Sequence, residues 1–293
     1  IPIPIERVVV TSTTHIPALE ALGVEDRLVG FPGTEYISSK NTRSLIKQGK
    51  IINLGTNESM NTELVLSVRP NLVVGFGIAS ENKGYETLER SNIPVVYNGD
   101  WTEKSPLGKA EWIKFFAPFF GMEKKAAFVF QSIETSYDEV KTLALGANKT
   151  PTVMSGALYK DVWYAPGGNS WAAEFIRDAN ADYLWKNTSE TGSLSLSIES
   201  VLNDGKKADF WISPSQFTSY SDLENDTWHY KQFEAFGSKN IYTYALSKGE
   251  TGGLLFFELG PNRPDLILKD LIHIFHPKVL PDHIPVFFKP LNN

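Results

Sequence analysis

Two glutamates stand in nearly duplicated surroundings. Residues 59–75 read SMNTELVLSVRPNLVVG and residues 195–213 read SLSIESVLNDGKKADFWIS. Each stretch has a polar residue, any residue, Glu, a Val-Leu or Leu-Val-Leu step, a basic bend, Asn or Asp, and then a buried strand. Glu63 and Glu199 each fall at the second position of a short helix, capped by Asn61 in one case and Ser197 in the other. A carboxylate there interacts favourably with the helix macrodipole, by about 0.3–1 kcal/mol. An exposed one can also pair with an arginine in a bidentate, oriented way. Two copies of one phrase imply two similar α/β halves.

Other residues offer different chemistry. His15 follows the first expected strand, where it could reach a metal ion or a haem iron, but a metal site needs three or four ligands. The other histidines, 229, 273, 276 and 283, lie late in the chain. Ser170 in GNSWA comes near the nucleophile elbow G-x-S-x-G, with Ala172 in place of the last glycine. Helix capping accounts for Ser170 without any such chemistry and is the preferred reading, with Pro166-Gly167-Gly168 making a tight turn that lets backbone amides face a ligand. Gly75-x-Gly77-x-x-Ser80 is an incomplete dinucleotide fingerprint.

The elements that must position these groups alternate. RVVV, RLVGF, NLVVGF and IPVVYN read as strands, separated by helical HIPALEAL, NTELVLSV and ENKGYETLERSN. Residues 34–50 read as a polar loop, and 106–122 as one amphipathic helix. Residues 123–146 hold no proline and no internal glycine, and predict a helix about 36 Å long at 1.5 Å per residue. Beyond it the alternation resumes with TVMSGALY, NSWAAEFIRDA, SIESVLNDG, ADFWIS, NIYTY and RPDLILKDLIHIF, and the tail HIPVFFKPLNN reads as a last strand or an extended arm. The expected fold is α/β: two Rossmann-like lobes with mostly parallel sheets, joined by a single long helix. The lobes are expected at 1–122 and 148–293, with the connecting helix at 123–147.

Composition narrows the function. The 293 residues are 42% hydrophobic and 21% charged, with net charge −6, so no basic field for nucleic acid is present. Cysteine is absent, which excludes thiolate catalysis, disulfides and cysteine-held zinc. No apolar run approaches the 18 or more residues of a bilayer span. The start, IPIPIERVVV, carries neither a Met nor a signal-peptide core and reads as a trimmed mature form.

The phrases ERVVVTSTTHIPALEALGVEDRLVGFPG, MNTELVLSVRPNLVVGFG, WYAPGGNSWAAEFIRDANADYLW, IESVLNDGKKADFWI and PDLILKDLIHIFHP together resemble, in order and over nearly the whole chain, the class III periplasmic substrate-binding proteins of ABC importers. These serve cobalamin, ferric siderophores and haem. The resemblance implies a binding protein and not an enzyme. It implies a monomer in the periplasm, with or without a lipid anchor, that captures a small metal chelate between its lobes and delivers it to an inner-membrane permease. Glu63 and Glu199 match the two carboxylates that dock on arginines of the permease, and the stiff connector limits closure to small rocking. No cofactor and no resident metal are expected, although the ligand itself would be an iron or cobalt complex. Loops after strands should hold it, through Tyr36, Phe76, Trp101, Tyr159, Trp163, Tyr164 and Phe217, with Tyr220 nearby. The aromatic residue that cobalamin-binding members carry shortly before each docking Glu is Asn57 or Ser193 here. The loops carry only Lys40, Arg43, Lys104 and Lys160, too sparse for anionic catecholates. Hydroxamate siderophores and haem stay open. The alternatives are direct metal binding in the same fold and a hydrolase at Ser170.

Overall fold

The computed structural model describes residues 1–57, 59–76 and 83–293. The chain divides into two compact units. The first comprises Ile1–Glu103, Gly108–Ser132 and Lys248–Asn262; the second comprises Lys104–Leu107, Ile133–Ser247 and Arg263–Asn293. The boundaries expected from sequence did not foresee the return of Lys248–Asn262 to the first unit. The incomplete glycine fingerprint runs into residues 77–82, outside the described residues.

The first unit is built on strands β1 (Val8–Val10), β2 (Leu28–Phe31), β3 (Ile52–Asn53), β4 (Leu72–Phe76) and β5 (Val95–Asn98). They pair in the order β3-β2-β1-β4-β5, all parallel. All three valines of β1 are fully buried, as expected of a central strand covered on both faces. One face packs Val9, Val29, Val73, Val65 and Leu88 into a single cluster. The helix His15–Leu22 ends at Gly23, whose left-handed φ of 70° closes it.

Two expectations for this unit fail. Residues 34–50 are not a loop: they hold a 3-10 turn, Thr34–Tyr36, and a helix, Lys40–Lys47, capped by Ser39 accepting from the Thr42 amide. Thr42 is the only fully buried residue of that helix, so no apolar stripe marked it. The expected helix over 106–122 is two, Pro106–Glu111 and Ile113–Phe120.

The second unit contains β6 (Thr152–Ser155), β7 (Ala157–Tyr159), β8 (Val162–Pro166), β9 (Asp182–Tyr183), β10 (Ser193–Leu196), β11 (Phe210–Ile212), β12 (Ile241–Thr243) and β13 (Lys289–Pro290). One sheet runs β13-β12-β11-β6-β9, parallel except for β13. Its β9-β6-β11-β12 segment repeats the order β2-β1-β4-β5. The other sheet, β10-β8-β7, is antiparallel and was not expected. TVMSGALY splits at Gly156, which has φ 93° and no room for a side chain: an added Cβ would lie 1.9 Å from the Tyr164 carbonyl oxygen. The tail is anchored by Asp270, fully buried, whose carboxylate accepts from the Val286, Phe287 and Phe288 amides and pairs with His283 Nε2 at 2.6 Å.

The long helix is present as Glu123–Leu145. Its buried residues are Ala126 and Phe130 in the first unit and Ile133, Tyr137, Val140 and Ala144 in the second, an alternation of four and three positions that keeps one stripe inward. Leu143 and Leu145 lie off that stripe and are exposed.

Candidate functional site

The duplicated phrase folds the same way twice. In the first unit Asn61 accepts from the Leu64 amide at 3.0 Å and starts the helix Thr62–Ser67. In the second Ser197 accepts from the Ser200 amide at 3.2 Å and starts the helix Ile198–Gly205. Each helix leads into the strand that pairs beside the first strand of its unit, β4 beside β1 and β11 beside β6. The shared Asn or Asp has one task in both. The Asn71 side chain accepts from the Arg7 amide at 3.0 Å while its own amide donates to the Arg7 carbonyl. The Asp209 side chain accepts from the Thr152 amide at 2.8 Å and its amide donates to the Thr152 carbonyl. The repeat is therefore a helix–strand module pinned to the first strand of its unit.

Glu63 and Glu199 are both exposed, in the first turn of topologically equivalent helices. The backbone amide of Glu199 itself, then the Ser197 hydroxyl, and more weakly His229, hold the Glu199 carboxyl below its ordinary value. It stays charged at neutral pH and projects into water. The exposed Trp228, outside the expected set, lies against His229 with ring centroids 4.2 Å apart and planes tilted by 31°.

Three expected ligand residues sit at the carboxyl ends of strands of the first unit, where open α/β sheets place their ligands. Tyr36 follows β2 and is 64% exposed; Trp101 follows β5 and is 47% exposed. Phe76 ends β4, half-buried, with its ring edge-on to Trp101 at 6.4 Å. The end of β4 is held by Thr11, at the end of β1: the Phe76 amide donates to the Thr11 hydroxyl at 2.7 Å. The turn carrying Trp101 rests on Asn98, which accepts from the Asp100 amide at 2.8 Å, and on Lys109, whose ammonium donates to the Asp100 carbonyl at 2.9 Å. Burial raises the Asp100 carboxyl, against the Thr14 hydroxyl and Lys109.

The second unit separates its candidates. Tyr159 and Tyr164 are exposed, with ring centroids 6.5 Å apart. Tyr159 directly precedes, and Tyr164 follows by three residues, a two-residue turn in which Lys160 and Asp161 both take positive φ, as a type I′ hairpin requires. Trp163 is not a ligand residue. Strand alternation turns it opposite to Tyr164, and it is fully buried among Trp211, Tyr230 and Phe233 with its indole N–H on the Ser155 carbonyl at 3.0 Å. Phe217 is half-buried and packs edge-on to Tyr230, and Tyr220 is buried. The amides of Gly167 and Gly168 do not wait for a ligand: they donate to the Gly192 carbonyl and the Thr188 hydroxyl.

The competing chemistries lose their geometry. Ser170 is buried and accepts from the Ala173 amide at 3.2 Å, as a helix cap does. His15 is fully buried against Phe116, neither ring nitrogen meets a hydrogen-bond partner among the described residues, and desolvation pulls its pKa down to about 3. His273 and His276 bind the backbone carbonyls of Leu280 and Ala179. Among the described residues no group of three or more His, Cys, Asp or Glu is placed to hold a metal ion.

Comparison with known proteins places these features in a family. Residues 8–245 match the family described as periplasmic binding protein. An uncharacterized lipoprotein of Methanocaldococcus jannaschii is 27% identical over 99% of this chain and 70% of its own length. A second protein of that organism is 26% identical over 94% of this chain and 83% of its own. Among solved structures, the periplasmic haem-binding protein of Roseiflexus superposes with a TM-score of 0.70 at 18% identity, covering 94% of this chain and 99% of that one. The periplasmic vitamin B12 binding protein of Vibrio cholerae gives 0.63 at 13% identity, covering 93% and 97%. At these identities the structures show the fold. No described helix is long and apolar enough to cross a membrane.

Proposed function

We propose that this chain, which belongs to the periplasmic binding protein family, is the substrate-binding component of an ABC importer for a metal chelate, haem or a ferric hydroxamate in the first place. The family is one of binding proteins and not of enzymes, so no bond is made or broken. The observation that carries the reading is the duplicated module: two equivalent helices, one per unit, each present an exposed carboxylate, Glu63 or Glu199. A permease with one arginine for each would read the pair through bidentate contacts. Tyr36, Phe76 and Trp101 on the first unit supply flat apolar faces of the kind a tetrapyrrole or a chelate rim would cover, and Tyr159 and Tyr164 on the second unit supply faces of the same kind. Trp163 leaves that set. The haem-binding and vitamin B12-binding neighbours support the ligand class. The protein would act outside the cytoplasmic membrane as a monomer, held there by a lipid anchor like the lipoprotein relative.

The test is titration with haemin, cyanocobalamin and a ferric hydroxamate, followed by tryptophan fluorescence with Trp101 as reporter. Binding of haemin or the hydroxamate at micromolar concentration or tighter is expected. Failure of all three refutes the ligand class. Charge reversal at Glu63 and Glu199 separates docking from capture: it should abolish uptake and leave ligand affinity unchanged.

A further inference from the structure

The return of Lys248–Asn262 to the first unit is fastened to the loop that carries Tyr36, as well as through Asn262, whose side-chain amide donates to the Thr14 carbonyl at 2.8 Å. Gly249 and Gly253 lie flat against it: an added Cβ would meet the Ser38 Cα at 2.6 Å in one case and the Tyr36 carbonyl oxygen at 2.3 Å in the other. The Thr251 hydroxyl donates to the Glu35 carbonyl at 2.7 Å, and Glu250 takes Arg43 at 3.3 Å and Lys47 at 2.9 Å. Arg43 in turn donates to the Thr34 carbonyl at 2.6 Å. At the centre, Glu258 is 2% exposed, and its two carboxylate oxygens accept from the Ser38 amide at 2.5 Å and the Ser39 amide at 2.8 Å. A cavity of about 250 Å³ beside this contact is lined by Glu20, Lys40, Leu255 and Glu258 among others.

A buried carboxylate on two consecutive amides fixes the backbone locally. Two positions before the first of those amides and three before the second stands Tyr36, an exposed aromatic in the turn that follows β2. We infer that Lys248–Asn262 is a strap whose Glu258 clamp sets the position of Tyr36, making Glu258 a positioning residue for ligand capture. The inference rests on the reading of Tyr36 as a ligand-contacting residue.

The clamp has a pH signature. Burial, with Glu20 adding to it, raises the Glu258 carboxyl to about 7, against the pull of the Ser38 and Ser39 amides. Glu20 faces it from the helix His15–Leu22 and Lys40 from the helix Lys40–Lys47; Glu35, Arg43, Lys47 and Glu250 form the outer rim. Because the clamped carboxyl has the higher pKa, acidification favours the clamped form, and a protonated carboxyl keeps lone pairs for both amides.

The test is amide exchange at Tyr36, Ser38 and Ser39, corrected for intrinsic rates, beside haemin and ferric hydroxamate titrations. In the wild type, protection should rise more than about tenfold from about pH 8 to about pH 5. Glu258→Gln should abolish that rise. Glu258→Ala should speed exchange at all three amides by about tenfold and weaken binding by a similar factor. Should that variant misfold, Thr251→Val and Gly253→Ala loosen the strap without touching the buried carboxylate. The loss of affinity should vanish in a Tyr36→Ala background, because the strap acts through that ring. Unchanged exchange at Tyr36 in every variant would overturn the proposal, as would an equal loss of affinity with and without Tyr36. If the wild type binds neither probe, the ligand reading falls, while the exchange data still decide whether the strap positions Tyr36.

Discussion

His15→Leu should change how stability depends on pH, in a direction set by burial. His15 is fully inside the first unit, its ring 5.3 Å from that of Phe116. With its folded pKa lowered from 6.5 to about 3, the unfolded chain binds the proton first as pH falls. Stability is therefore lost below about pH 6.5, at 1.36 kcal/mol per unit. From about pH 8 to about pH 5 this amounts to about 2 kcal/mol. Glu258 runs the other way: its folded carboxyl is raised from 4.5 to about 7, so over the same window the fold gains stability as pH falls. The wild type should show a shallow net slope and the variant a steeper rise toward acid. Leucine also removes two buried nitrogens that find no partner among the described residues, worth about 1–3 kcal/mol at any pH. Urea unfolding at both pH values, with amide exchange at Val8–Val10 to report the first unit, gives the difference directly. Wild type and variant falling in parallel with pH would refute the reasoning.

Replacing Trp163 by Ala should cost the second unit about 3–5 kcal/mol, whereas Tyr164→Ala should leave the urea midpoint in place and lower ligand affinity. Gly156→Ala forces a Cβ to 1.9 Å from the Tyr164 carbonyl oxygen; loss of β7 and β8 protection in amide exchange is the expected readout. Asp270→Ala strips the acceptor from three backbone amides and should destabilise the second unit by at least about 3 kcal/mol, with proteolysis of the tail at lower urea. Glu63→Arg and Glu199→Arg should each depress uptake while titrations with haemin or the hydroxamate stay unchanged.

Much of the fold was legible because β-branched runs and caps are local signals. The strand–helix alternation and the uninterrupted helix after Met122 came from patterns within about 25 residues, and the correspondence of Glu63 with Glu199 from two such local phrases set side by side. The antiparallel sheet around Trp163 was not legible, because it turns on Gly156 and on two positive φ angles at Lys160 and Asp161, and because a tryptophan between two loops reads alike whether it faces ligand or core. The helix Lys40–Lys47 was hidden by polarity, although its cap, Ser39, was in view. The strap could not be read at all: its partners are more than 200 residues away in sequence, and two glycines and a glutamate carry no periodic signal. The shared Asn71 and Asp209 were visible as a repeat, but their bonds to the first strands needed the structure.

The central claim is most directly tested by the absorption spectrum of the protein after incubation with haemin, cyanocobalamin and a ferric hydroxamate and removal of unbound ligand. A retained haem or ferric hydroxamate band at about one equivalent, lost when Tyr36 and Trp101 are replaced by alanine, is the predicted result. A protein that leaves the column with none of the three, or that retains one equally well without those two rings, would contradict the account.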